Sequence, residues 1–187
     1  MTGRLLGRFL RGVRAGQRHL AINHPALRAI PDAIRLQSDS FTSGGAMPSR
    51  CAGLSVGENI SPALEWSGVP AATQELVLIM EDPDAPLRKP VVHMIALGIE
   101  PARTSFCEGA LSHGVNGDVR FGIGSFNRQG YHGPRPVPGH GPHQYLLQMM
   151  ALRKPLLFNE PPKLDAVLAA ADGNVLAWGQ IVGLFER

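Results

Sequence analysis

The apolar residues of this chain gather into short, uninterrupted runs of strand length, divided by stretches rich in Gly, Pro, Ser and Asn. Leu76-Val77-Leu78-Ile79-Met80 is the densest run and predicts a strand over 75–80. A second strand is predicted over 91–97, with Val91, His93, Ile95 and Leu97 on one face. Two more are predicted over 143–152 and 175–185, and a short helix over 163–171 begins after Pro161-Pro162 and stops before Gly173. Between Asp32 and Gly68 the apolar pieces are shorter and separated by turn residues, as in Gly57-Glu58-Asn59-Ile60-Ser61-Pro62, which predicts short strands. The N-terminus has an amphipathic helical period. Over residues 3–22, Arg4, Arg8, Arg11, Arg14 and Arg18 oppose Leu5, Leu6, Phe9, Leu10, Val13 and Leu20. Gly3, Gly7, Gly12 and Gly16 each cost such a helix about 1 kcal/mol relative to Ala, so it orders only against something.

Charge divides the chain in the same place. Residues 1–31 hold six Arg and no acid, whereas the remainder is net acidic, so the basic character belongs to the N-terminus and the body is not a nucleic-acid binder. Three readings suit the basic segment: a helix docked on its own domain or a sister subunit, a helix on an anionic membrane surface, and an Arg-rich targeting peptide. Within 187 residues no repeat or second folded unit is evident, which implies a basic extension over 1–31 and one domain over 32–187. Cys51 and Cys107 form no metal-ligand spacing and read as thiols in a reducing compartment, with a single bridge as the alternative. No apolar run approaches the roughly 20 residues of a membrane span. The expectation is a soluble, cytoplasmic protein, with residues 1–25 a candidate for peripheral membrane contact or self-association.

The candidate chemistry begins where the 75–80 strand ends, at Asp82-Pro83-Asp84-Ala85-Pro86. Each proline disfavours helical geometry in the residue before it, so Asp82 and Asp84 are predicted on an extended segment, facing the same way. His93 lies within the next strand. A glycine-dense stretch from 109 to 142 contains Gly133-Pro134 and leads into His143 and Tyr145, another i, i+2 pair on a strand. Histidines, a tyrosine hydroxyl and turn amides can donate to anionic oxygens, and acids beside histidines fix their tautomers. Together these groups describe a small site for a phosphate-like group, with carboxylates available to an ammonium. The plain alternatives are that the Asp pair caps a turn, that His93 is a satisfied core residue, and that Tyr145 packs. A metal site from His93, His132, His140, His143 and an Asp is the weaker reading, because three of its ligands fall in a Gly-Pro loop. No Gly-x-Ser-x-Gly elbow or other activated nucleophile is present.

In this order, Asp-Pro-Asp-Ala-Pro, a histidine-bearing strand, Gly-Pro-x-Pro and Gly-x-His-x-Tyr resemble the phosphatidylethanolamine-binding protein family, in particular its bacterial Raf-kinase-inhibitor-like branch. Phe41, Met47-Pro48, Asn59 through Trp66 and Pro70 extend the resemblance over about residues 34–186. It implies a mostly β fold with peripheral helices (α+β), in which a large antiparallel sheet packs with a smaller one and an anion pocket lies at one end. The implied pocket residues are Asp82, Asp84, His93, Gly133, Pro134, His143 and Tyr145. Departures stand at Met94, where the family commonly has Trp, at Gln144 in place of Arg, and at Arg135 and Val137 in the Gly-Pro turn; Arg88, Lys89 or Arg135 could replace the lost charge. The expected function is a non-enzymatic binder of phosphate or phosphoethanolamine-like head groups, needing no cofactor and able to act on a kinase or protease partner. The alternative is a hydrolase of small phosphate or ester compounds that uses the pocket His and Asp residues.

Overall fold

The computed structural model describes residues 2–112 and 119–187. In chain order the elements are α1 (Thr2–Leu10), β1 (Arg35–Gln37), β2 (Leu64–Ser67), β3 (Glu75–Asp82), β4 (Val91–Ile99), β5 (Ser105–Phe106), β6 (Arg120–Phe121), β7 (His143–Leu152), α2 (Leu164–Ala171) and β8 (Val175–Phe185). Every named strand pairing is antiparallel, giving a five-stranded sheet of order β6-β4-β3-β7-β8 and a three-stranded sheet of order β1-β2-β5. The long strands fall where the apolar runs predict them. The predicted 109–142 loop is interrupted by the two-residue β6, and its residues 113–118 lie outside the described residues.

The apolar runs are unbroken because both faces of the large sheet are covered, so neither face needs polar side chains. Leu76, Leu78, Met80, Tyr145, Leu147 and Met149 share one cluster with Leu36, Leu64, Trp66 and Phe106 of the small sheet. Val77, Ile79, Ile95, Leu97 and Met150 face the other way, onto Val167, Leu168 and Ala171 of α2 and onto Ala21 and Leu27. β3 is buried at every position from Glu75 to Asp82. Among the long strands of this sheet, the alternation expected of a half-solvated strand is seen only in β8, at the sheet edge.

The N-terminal segment departs from the helix predicted over 3–22. α1 ends at Leu10 in a turn that contains Gly12, and the chain continues as three single 3-10 turns, Gln17–His19, Ala21–Asn23 and Pro25–Leu27. These turns strap across the α2 side of the sheet. The Ala21 N–H donates to Glu81 Oε2 at 2.8 Å, the Ile22 N–H donates to Gln148 Oε1 at 2.9 Å, and the Gln148 amide donates to Glu81 Oε2 at 2.8 Å. Glu81 thus anchors the strap from a position that is almost wholly buried, and burial pushes its carboxyl up to about 7 against the opposing pull of those two donors. Cys51 is buried, Cys107 is exposed, and both are free thiols.

Because the folded-state pKa of Glu81 lies above its unfolded value, the native protein holds this proton between about pH 4.5 and 7, and stability falls as pH rises through that window. The full difference is about 3 kcal/mol. Glu81→Gln, which stays neutral, is expected to gain about that much relative to the parent between about pH 5 and about pH 8, read from urea unfolding at both values.

Candidate functional site

The ends of β3 and β7 are joined through two carboxylates. Asp82 is the last residue of β3 and faces the side that carries Leu78 and Met80. Its Oδ1 accepts the backbone N–H groups of Asp84 (2.7 Å) and Ala85 (3.1 Å), and its Oδ2 lies 2.8 Å from His143 Nδ1. The chain turns at Pro83, so Asp82 and Asp84 do not run extended and do not converge on one spot. Asp84 instead accepts the Gln144 N–H at 2.7 Å and pairs with the Arg14 guanidinium at 2.6 Å. The turn is therefore pinned to β7 from both carboxylates and to the N-terminal segment from the second.

His93 reaches the same end of the sheet through a bulge. Met80 pairs with Met94, but Glu81 pairs with Val92 and Asp82 with Val91, so an extra residue is inserted in β4 at His93. Strict alternation would place His93 beside Ile95 and Leu97. The bulge instead turns it toward Tyr145, whose ring it meets edge-on at 5.2 Å, while Val92 stays with Ile95 in the outer cluster. This corrects the predicted shared face of Val91, His93, Ile95 and Leu97. The displaced Val92 N–H is taken up by Ser125 Oγ at 2.9 Å, and His93 Nδ1 donates to the His132 carbonyl at 2.5 Å. That bond leaves His93 Nε2 without a hydrogen-bond partner among the described residues. Burial holds the imidazole below its ordinary pKa, with Asp82 pulling the other way.

His143 has no such unpartnered nitrogen. Its Nε2 lies 2.7 Å from His140 Nδ1, and His140 Nε2 lies 2.8 Å from the Leu10 carbonyl and 3.2 Å from that of Val13. A carbonyl only accepts, so His140 Nε2 carries a hydrogen. One hydrogen lies between the two rings, and one lies between His143 Nδ1 and the Asp82 carboxylate. The result is a buried hydrogen-bonded relay from Asp82 to the N-terminal segment. Arg11 Nε donates to the Gly139 carbonyl, Arg14 to that of Pro142, and the Ala15 and Gly16 N–H groups to the Ala85 and Pro83 carbonyls.

These elements enclose a cavity of about 290 Å³. Asp82, His93, Gly133 and His143 line it, joined by Leu87, Phe126, Arg128, His132, Arg135 and Val137. Asp84, Pro134 and Tyr145 are not on its wall. The Tyr145 hydroxyl is buried behind His93 near the Arg135 backbone, without a well-formed hydrogen bond among the described residues, and burial raises its pKa far above the ordinary tyrosine value. The Gly133 N–H is committed to Asn59 Oδ1 at 2.9 Å, and the Pro134 carbonyl accepts from Gly53. This turn therefore shapes the rim and does not offer an amide to a ligand. It needs glycine because a Cβ at Gly133 would stand 1.9 Å from the Cys51 carbonyl oxygen. At the mouth, Arg128 lies 5.7 Å from the ring centre of Phe126, which is 68% exposed and held at positive φ, a conformation uncommon for a bulky residue. A second hollow of about 450 Å³ shares Val92, Ser125 and Phe126 with the first and is lined by none of the predicted site residues. No cluster of three or more His, Cys, Asp or Glu groups suited to a metal ion is found among the described residues.

Sequence reasoning placed Asp82, His93, Gly133 and His143 in one site and also named Asp84, Pro134 and Tyr145. It did not foresee that His140 would occupy His143, that Arg14 would take Asp84, or that Arg128 and Phe126 would form the mouth. The Gly-x-His spacing that brings His140 three residues before His143 was visible, but its partner lies 130 residues away in the chain.

A large antiparallel sheet and a small one, packed on a shared apolar cluster with a histidine-lined cavity at one end, define a two-sheet β protein with peripheral helices. A family model described as phosphatidylethanolamine-binding protein matches residues 37–186, and the chain belongs to that family. The UPF0098 protein of Methanothermobacter thermautotrophicus is 35% identical over 156 residues, covering 82% of this chain and 99% of its own length. That of Aquifex aeolicus is 33% identical over 172 residues, covering 90% and 97%. Among solved structures, the phosphatidylethanolamine-binding protein homologue CT736 of Chlamydia trachomatis superposes with a TM-score of 0.74 at 29% identity, over 83% of this chain and 99% of its own. E. coli YbcL shares the fold with a TM-score of 0.75 at 23% identity, over 83% and 99%.

Removing the Asp82 carboxylate strips acceptors from His143 Nδ1 and from two backbone amides at once. Asp82→Ala is expected to cost about 3–5 kcal/mol of folding free energy, measured by chemical denaturation. Asp84→Ala, whose carboxylate faces a partly exposed arginine and one amide, is expected to cost clearly less.

Proposed function

We propose that the protein is a non-enzymatic binder whose 290 Å³ cavity holds a small phosphoryl-type anion, either phosphate or a phosphoethanolamine-like head group. The observation that carries this reading is His93. It is buried on the cavity wall with one ring nitrogen bonded and the other without a partner among the described residues, burial favours its neutral form, and Arg128 and Arg135 line the same wall. An anion entering here restores the charge that burial suppresses, so binding takes up a proton. The only carboxylate on the wall among the described residues, Asp82, is already committed to His143 and two amides and adds little repulsion. The same chemistry would accept a phosphorylated side chain of a kinase or protease, the route by which this pocket would inhibit such a partner.

Hydrolysis is the less favoured reading. The Asp82–His143 pair has the form of an acid orienting a base, but the outward nitrogen of His143 is occupied by His140, and no hydroxyl or thiol is hydrogen-bonded to it among the described residues. No helix among the described residues is long and apolar enough to cross a membrane.

Titration with phosphate and with phosphoethanolamine, followed through the histidine ring resonances, is expected to move His93 most. His93→Ala should weaken binding at least tenfold. Sulfate, whose charge is constant near neutral pH, should bind more tightly as the pH is lowered through the titration of His93. If no anion perturbs His93, or if turnover of phosphoesters is found and lost in His93→Ala, the reading fails.

A further inference from the structure

α1 is docked with the wrong side out for an ordinary amphipathic surface helix. At about 100° per residue, Gly7 lies opposite Phe9, and it is Gly7 that meets the body: a Cβ there would stand 2.0 Å from the Pro138 carbonyl oxygen. The remaining contacts of the arm are backbone amides and the Arg11 and Arg14 guanidinium groups on the carbonyls and the carboxylate described above. Apart from the partly buried Leu10, the large apolar side chains of this stretch stay exposed. Leu5 is 66% exposed, Leu6 56%, Phe9 87% and Val13 48%, half of the large apolar residues that the described chain leaves exposed. Arg4 and Arg8 are exposed beside this stripe, and neither has an acidic partner among the described residues.

A helix held rigidly by its small face, with leucines and a phenylalanine directed outward and arginines alongside, has the composition of an interfacial membrane helix. A second copy of the chain fits less well. Face-to-face pairing would bring two acid-free, arginine-rich segments together, and four apolar residues fall well short of the roughly 20 residues a side of a stable interface. Charge complementarity selects a surface that is both apolar and anionic. We infer that α1 and the turn after it form a docking element for anionic lipid bilayers. It is joined to the cavity because the Ala15 and Gly16 amides bond to the Ala85 and Pro83 carbonyls, and Ala85 lines that cavity. The inference does not rest on what the cavity binds.

The test is co-sedimentation of the full chain with phosphatidylcholine vesicles, with and without phosphatidylglycerol. Binding is expected on the anionic vesicles, at least tenfold weaker on the neutral ones, and reduced by added salt. Phe9→Asp, at an exposed position, should abolish partitioning while leaving the unfolding midpoint unchanged. Arg4→Gln with Arg8→Gln should lower it roughly thirtyfold, at about 1 kcal/mol per charge. Neither variant touches the cavity wall, so the response of the His93 resonance to phosphate should persist in both. Equal binding to neutral and anionic vesicles, or binding indifferent to these substitutions, overturns the inference. So does a dimer in sedimentation velocity that Phe9→Asp dissolves in a protein that does not bind vesicles.

Discussion

The carboxylate of Asp82 is the contact on which the site end of this molecule depends. One oxygen closes the turn after β3 by accepting two successive amides, and the other takes His143 on the neighbouring strand. A single buried group therefore sets the path of the Asp-Pro loop and orients a histidine. Buried carboxylates are tolerated when their oxygens are fully hydrogen-bonded, and both oxygens of Asp82 are engaged.

From that point the order propagates outward in two directions. Through His143 and His140 it reaches the carbonyls of Leu10 and Val13, so the basic arm is continuous with the cavity's hydrogen-bond network and is not an appendage. Through the bulge in β4 it reaches His93, which a regular strand would have turned toward α2. His93 and His143 are consequently not equivalent. His143 is saturated by protein groups and acts as structure, while the second ring nitrogen of His93 has no hydrogen-bond partner among the described residues.

The covering of both faces of the large sheet explains which features could be read locally. Strands buried on two sides write themselves as continuous apolar runs, and β3, β4 and β7 were legible for that reason. The Asp-Pro-Asp, Gly-Pro and His-x-Tyr segments were legible as chemistry because proline, glycine and histidine restrict what a backbone can do nearby. Their assembly was not. Asp84 and Tyr145 were grouped with Asp82 and His143 by i, i+2 spacing, yet a turn at Pro83 sends Asp84 to Arg14, and Tyr145 sits behind His93. Gly133 contributes shape and not a donor, because Asn59 takes its amide.

By itself, then, the sequence determined the long strands and the helix after Pro162, because these follow from side-chain period and local backbone restriction, while the two-sheet class was implied by the resemblance of its ordered motifs to a known family. Tertiary structure decided the rest. The bulge that aims His93 depends on the register between β3 and β4. The pairing of His140 with Leu10 joins residues far apart in the chain, and the outward face of α1 depends on a glycine meeting a distant carbonyl. Each is a choice among donors, acceptors and surfaces that local pattern leaves equivalent and that only the packed fold makes unequal.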